Sequence, residues 1–245
     1  MNRAFLGTLG IALFLALWET IGQLKLAGIS WPPLSDVFEM LFDASRRALF
    51  QRALGATLEE TALGYLWGTA AGLALAAMAH LLPPLRRGSD RLAAVLNSVP
   101  SIALGPIFLV LLSRESTPAA VSSIHVFFIV FVSVSSGLQR ATPAHRDLFS
   151  VLGADRLRRF ARLELPAALP ALASGLRLAW PAALIGAIIG EWFGAPRGIG
   201  ILIINAMQNF QIVLLWSAVL LAVGSSLLVY GLLTLLERAA YSRFG

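Results

Sequence analysis

The sequence predicts an all-α integral membrane protein with six transmembrane helices, and three observations carry that prediction. Hydrophobic residues make up 58% of the 245-residue chain and charged residues only 13%, about half the charged share of an ordinary soluble domain. Apolar runs of roughly 20 residues, the length that crosses a bilayer, recur along the chain. Of the 19 basic residues, in a chain of net charge +6, all but Arg177, which falls within the fifth run, flank those runs and do not form one stripe. That distribution suits the positive-inside bias of membranes and excludes a nucleic-acid surface. The lack of cysteine excludes disulfides and thiolate chemistry.

The first predicted span covers residues 4–22. No small-x-small cleavage site follows it, and Trp18-Glu19-Thr20 stands where one would fall, so it reads as a retained helix and not a signal peptide. The connection 23–60 begins with a proline turn. An amphipathic pattern follows, with Val37, Met40, Leu41 and Ala44 on one face. It is expected to lie on the outer membrane surface with Trp31 at the interface. The second span, 61–82, carries Gly64, Gly68 and Gly72 at four-residue spacing, which reads as a face for close helix packing. The third, 92–113, is interrupted by Asn97, Ser98, Pro100 and Ser101, and the fourth, 119–138, by His125. Such interruptions are tolerated where neighbouring helices satisfy them or where they face a cavity. The fifth and sixth spans cover 171–193 and 212–236. No internal repeat and no low-complexity segment is found.

Arginine and lysine set the orientation. With both termini cytoplasmic, the inner segments hold Arg3, Arg86, Arg87, Arg91, Arg140, Arg146, Arg156, Arg158, Arg159, Arg162, Arg238 and Arg243. The outer ones hold Lys25, Arg46, Arg47, Arg52, Arg114 and Arg197. The inner excess places 139–170 in the cytoplasm. One transmembrane domain, 1–245, accounts for the whole chain.

Segment 139–170 is the most informative stretch. Thr142 fits an N-cap with Pro143 at the first helical position. Leu148, Val151 and Leu152 form an apolar stripe, and Gly153 stands at a left-handed C-cap. Asp155 can cap a second helix in which Leu157, Phe160 and Ala161 share one face while Arg158, Arg159 and Arg162 crowd another. Pro166 and Pro170 are expected to end that helix before the fifth span. A basic segment beside a membrane can bind anionic lipid headgroups. The apolar ridge with basic flanks also suits docking into a groove on another protein.

The same residues resemble the cytoplasmic EAA loop of binding-protein-dependent ABC transporter permeases, whose pattern is E-A-A, three residues, Gly, nine residues, then I-x-L-P. Gly153 matches the glycine, Leu163 stands for the isoleucine, and Leu165 and Pro166 match the final Leu-Pro. Asp147, Leu148 and Phe149 occupy the E-A-A places, keeping the acid but not the alanines. "LNSVPSIALGPIFLVLL" and "GLRLAWPAALIGAIIGEWFGAPRGIGILI", with its Gly198 and Gly200, are similar to the nitrate, sulfonate and taurine branch. Pyrimidine-precursor and riboflavin importers use similar permeases.

The resemblance implies an ABC importer type I permease fold in the bacterial cytoplasmic (inner) membrane. It implies a second permease copy, as a homodimer around a central pathway, and an outer solute-binding protein. Two cytoplasmic ATP-binding cassette subunits would hold the ATP, so this chain binds no cofactor and performs no catalysis. Membrane lipid completes the expected partners. The cargo would be a sulfonate-, taurine- or nitrate-like anion or a pyrimidine-type compound.

No Walker-type phosphate loop occurs in the sequence, and His80, His125 and His145 lie too far apart to suggest a metal site. The resemblance implies that Asp147, Gly153, Ala154, Asp155, Leu157, Arg158, Arg159, Phe160, Leu163, Leu165 and Pro166 couple the chain to the ATPase. Gly153 would act as hinge, Leu157 and Phe160 as apolar knobs, and Arg158 and Arg159 as polar contacts. Candidate pathway residues are Asn97, Ser98 and Ser101 beside Pro100, together with His125, Arg177 and Glu191. Glu191 lies about 30 Å along the fifth helix from Ala171, where it could line the path or a gate, or pair with Arg197. Arg177 could line the path or snorkel. The alternative function is a self-contained six-helix channel or secondary transporter, for which Arg177, Glu191 and Glu19 would have to supply the coupling charges.

Overall fold

The computed structural model describes residues 3–244. Met1, Asn2 and Gly245, at the limits of the predicted domain, lie outside the described residues, as does the side chain of Arg3. All regular structure among the described residues is helical: α1 (Arg3–Gln23), α2 (Leu34–Phe42), α3 (Arg47–Leu81), α4 (Pro83–Ser98), α5 (Ser101–Leu111), α6 (Thr117–Gly137), α7 (Pro143–Val151), α8 (Arg156–Arg159), α9 (Leu165–Glu191), α10 (Ile199–Gln208) and α11 (Ile212–Phe244). Five stretches are long and apolar enough to cross a membrane: α1, α3, α6, α8 continued through α9, and α11.

The third predicted span requires correction. Residues 92–113 are not one rod. The α4 and α5 helices meet at a 98° bend, and only as a bent pair do they make a sixth span. The cause is Pro100, which has no N–H to donate and disfavours helical backbone at the residue before it. Val99 accordingly adopts an extended conformation, with ψ 124. The α5 helix is 11 residues long, about 16 Å, and cannot cross a bilayer alone.

The second correction concerns the prolines after α8. Pro166 and Pro170 do not end a helix. A π-helical turn, Phe160–Glu164, joins α8 to α9, with Leu165 N donating to Phe160 O, and this widened turn takes in Pro166, which has no N–H, without ending the helix. Pro170 and Pro181 lie inside α9.

At the centre, α6 packs most extensively against α9 and α3. The predicted glycine face of α3 makes that approach possible. A Cβ at Gly64, Gly68 or Gly72 would run into Ser122, Val126 or the α6 backbone around Phe127. Val126, Phe127, Val130 and Phe131 of α6 join Ala179 and Ala183 of α9 in the buried core. A second core joins Phe50 of α3, Leu184 of α9, Ile199 and Leu202 of α10, and Leu214 and Ala218 of α11.

The predicted surface helix is α2, and it packs inward. Val37 is fully buried, its carbonyl accepting from Ser217 Oγ at 3.3 Å, and Met40 and Leu41 join the second core. Ala44 lies beyond the end of α2. Trp31 forms a cluster with Trp18 and Trp216, the ring centroids 4.8 and 4.9 Å away. Trp18 Nε1 donates to Pro32 O and Trp216 Nε1 to Ser30 O, so the cluster ties α1 to α11 through the 30–32 turn.

Candidate functional site

Two regions at opposite ends of the bundle gather the functional candidates. At one end, α7 and α8 form the predicted helix pair. Thr142 Oγ1 accepts from His145 N at the start of α7. Gly153 ends it in the left-handed region at φ +68, with Ala154 N donating back to Phe149 O at 2.9 Å. Asp155 Oδ1 then accepts from Arg158 N at 2.7 Å and caps α8. Leu148, Val151, Leu152 and Leu157 are 54%, 84%, 72% and 65% exposed, an unpartnered apolar ridge on the pair. Arg158 and Asp147 are exposed beside it, Ala154 and Pro166 are half-buried, and Leu163 and Leu165 bracket Glu164.

Two residues expected on that outward surface face inward. The ring of Phe160 packs against the central core and lies 5.9 Å from the His80 ring, centroid to centroid. Arg159 turns toward Glu164, its Nε 3.3 Å from Oε1. Glu164, which the sequence reading did not single out, organises this end. It is 2% exposed and also meets His80 Nε2 at 2.7 Å and Arg146 Nε at 3.6 Å. One carboxylate thereby joins α3, α7 and α8, and holding four ionisable groups together compensates its own desolvation. The signal in sequence was an acid between two leucines in an otherwise basic helix, a sign of a buried partner.

The pathway candidates do not gather at one place: Arg177 lies in the first half of α9 and Glu191 at its far end. Asn97 and Ser98 are exposed at the end of α4, and Ser98 Oγ donates to Ala94 O. Ser101 and His125 come together: Ser101 Oγ lies 2.7 Å from His125 Nε2, while Nδ1 lies 2.9 Å from Val121 O. A ring donating from Nδ1 to that carbonyl accepts the serine hydroxyl at Nε2. Arg177 pairs with Glu237 of α11, Nη1 to Oε2 2.8 Å, and stacks over Tyr230 at 5.1 Å.

Glu191 is fully buried and makes no ion pair with Arg197. It accepts from Thr57 Oγ1 at 2.6 Å and from Gly200 N, and Thr57 Oγ1 accepts from Ile199 N at 2.8 Å. These bonds satisfy the open N–H groups at the start of α10. Gly198 takes φ +144, and a Cβ at Gly198 or Gly200 would strike the Glu191 carboxylate. Glu191 is thus the cap that seats α10 against α3 and α9.

A cavity of about 800 Å³ opens beside this cap. Its walls include Glu59, Glu60 and Trp67 of α3, Glu115 of the α5–α6 turn, Ser123 of α6, and Arg197. Trp67 is 71% exposed. A Glu60 carboxyl oxygen, Oε2, is buried without a hydrogen-bond partner. None of Asn97, Ser98, Ser101, His125, Arg177 and Glu191 lines this cavity. The missed signal was the spacing of Ala56, Glu60, Leu63 and Trp67 on one helical face, with two adjacent acids in an apolar run.

Residues 68–240 match the family model described as binding-protein-dependent transport system inner membrane component. Among curated relatives, the chain is 30% identical to a probable ABC transporter permease protein of Haemophilus influenzae, over 90% of this chain and 90% of the relative. It is 29% identical to the formylaminopyrimidine transport permease protein ThiX of Halalkalibacterium halodurans, over 83% and 82%. It is 25% identical to the putative aliphatic sulfonates transport permease protein SsuC of Bacillus subtilis, over 95% and 85%. Among solved structures, an inward-facing MetNI methionine ABC transporter superposes with TM-score 0.73 at 17% identity, covering 81% of this chain and 99% of that chain. At that identity the likeness is one of fold.

Proposed function

The chain belongs to the binding-protein-dependent transport system inner membrane components, the permease subunits of ABC importers, and we propose that it works as one of two copies around a shared pathway. Two ATP-binding cassette subunits dock on the α7–α8 ridge, and an outer solute-binding protein delivers cargo at the opposite end. Both termini and α7–α8 lie in the cytoplasm.

The observation that carries the docking assignment is the exposed row Leu148, Val151, Leu152 and Leu157, fixed in direction by the Gly153 turn. A ligand shifts a conformational equilibrium only through differential contact with the two states. The ridge is where ATP-driven closure of the partner would make that contact. The expected outcome is that the chain co-purifies with an ATPase subunit. Gly153→Asp, or charge reversal at Arg158, should abolish uptake while the chain remains inserted. Nothing crowds Gly153 within 4 Å, but its φ of +68 strains any side chain placed there, so the Arg158 reversal, which leaves the turn intact, is the variant that separates lost docking from local misfolding. Normal uptake would exclude the docking assignment.

The cavity supports the pyrimidine-type cargo over the oxyanions. Three carboxyl groups and one guanidinium make its lining rich in acceptors, and exposed Trp67 offers a stacking face. Amino and ring N–H groups of a planar heterocycle fit such a lining, whereas sulfonate and nitrate oxygens would meet carboxyl oxygens. Competition for uptake by aminopyrimidines, but not by taurine or nitrate, is the expected result. Competition by the oxyanions alone would overturn the assignment.

A further inference from the structure

We propose that the recess enclosed by α3, α4, α7 and α8 is a binding site for a phosphate-bearing anion, the chemistry shared by an anionic phospholipid headgroup and by free phosphate. The recess has a volume of about 170 Å³ and is lined by His80, Arg86, Arg146, Arg156, Arg159 and Glu164. Four guanidiniums from three helices therefore face a single carboxylate. Glu164 is engaged by Arg159, Arg146 and His80 at 3.3, 3.6 and 2.7 Å, which leaves the cluster in excess of positive charge.

Arg86 and Arg156 form no ion pair among the described residues. Arg156 Nη2 reaches only the His80 carbonyl, at 3.5 Å. Asp90, one turn along α4 from Arg86, shares with it the lining of an adjoining recess but forms no ion pair with it. The Nε atoms of Arg146 and Arg159 lie against Glu164 Oε1, at 3.6 and 3.3 Å, without forming well-aligned hydrogen bonds to it. Arg86 and Arg156 are exposed and Arg146 and Arg159 half-buried, so the four guanidiniums rim an open recess with one carboxylate among them, and a bound anion relieves their mutual repulsion. Their planar forks match phosphate oxygens.

Basic pockets between membrane helices on the cytoplasmic side are suited to anionic headgroups, and this recess lies at the α7–α8 end of the bundle. An anion bound there bridges Arg86 of α4 to Arg146 of α7 and Arg156 of α8. It thereby fixes the angle at which the α7–α8 ridge stands against the ends of α3 and α4. The site is independent of the cargo and of the outer cavity.

The test uses the permease purified with its ATPase partner. Thermal unfolding is followed with added phosphatidylglycerol, phosphatidylcholine or inorganic phosphate, and native mass spectrometry counts the retained lipid. Phosphatidylglycerol should raise the unfolding midpoint by roughly 5 °C, and phosphatidylcholine should not. Arg86→Gln with Arg156→Gln should remove that shift and the retained lipid, and these two side chains are chosen because they stand outside the Glu164 cluster. Arg87→Gln, on the same helix and equally exposed but outside the recess lining, should keep both. A shift with inorganic phosphate alone that is lost in the same double variant identifies free phosphate as the occupant. A phosphatidylglycerol shift that survives the double variant overturns the proposal, as does no shift with either anion. A shift confined to permease stripped of its ATPase also overturns it, since acidic side chains of the partner would then fill the recess.

Discussion

Glu164 and Glu191 are 2% and 0% exposed, and each binds together elements that are remote in sequence. Thr57 is 134 residues from Glu191, and His80 is 84 from Glu164. No local rule reveals such partners. Local rules did suffice for the caps at Thr142 and Asp155 and for the left-handed turn at Gly153, where cause and effect lie within a few residues. Glu191→Ala removes the acceptor for Thr57 and for the start of α10, leaving buried donors open at a cost on the order of 3 kcal/mol. Glu191→Gln keeps a carbonyl oxygen in place and should cost less than half as much. Unfolding midpoints in detergent check this order, and equal losses in the two variants would show that the side chain only fills space.

The helices show where periodicity informs and where it misleads. Long apolar runs announce α1, α3, α6, α9 and α11, because the hydropathy of a span is a property of its own residues. The break at Pro100 was visible as an interruption but not as a right-angle turn, since the outcome depends on α6 and α9 packing beside α5. At 1.5 Å per residue a straight helix would separate positions 88 and 110 by about 33 Å. Spin labels at Gly88 and Val110 should instead report a distance well below that figure. A value near it would mean that α4 and α5 form one rod. The error at Pro166 and Pro170 had the opposite cause. Proline removes one N–H from a helix, and at Pro166 the preceding π turn, with Leu165 N donating to Phe160 O, shifts the bonding pattern by one residue and takes in the loss, while Pro170 is carried inside α9.

For the whole molecule, the arrangement of charge against topology makes a direct test of orientation possible. The chain contains no cysteine, so single cysteines can be labelled without background. With both termini cytoplasmic, Arg46→Cys and Arg114→Cys should react with an impermeant maleimide in intact cells. Arg87→Cys and Arg238→Cys should react only after permeabilisation, and the reverse pattern would invert the positive-inside reading. Which polar groups line the cavity was not legible from sequence, because its walls come from α3, the α5–α6 turn, α6 and the turn before α10. The π turn that joins α8 to α9 has a mechanical consequence. Residues Arg156–Glu191 form one continuous stretch of 36 residues, a shaft about 54 Å long with no loop to absorb motion. Leu157 rides on one end of it and the seat of α10 on the other. A shove at the first therefore arrives at the second as tilt or torque, with little play in between.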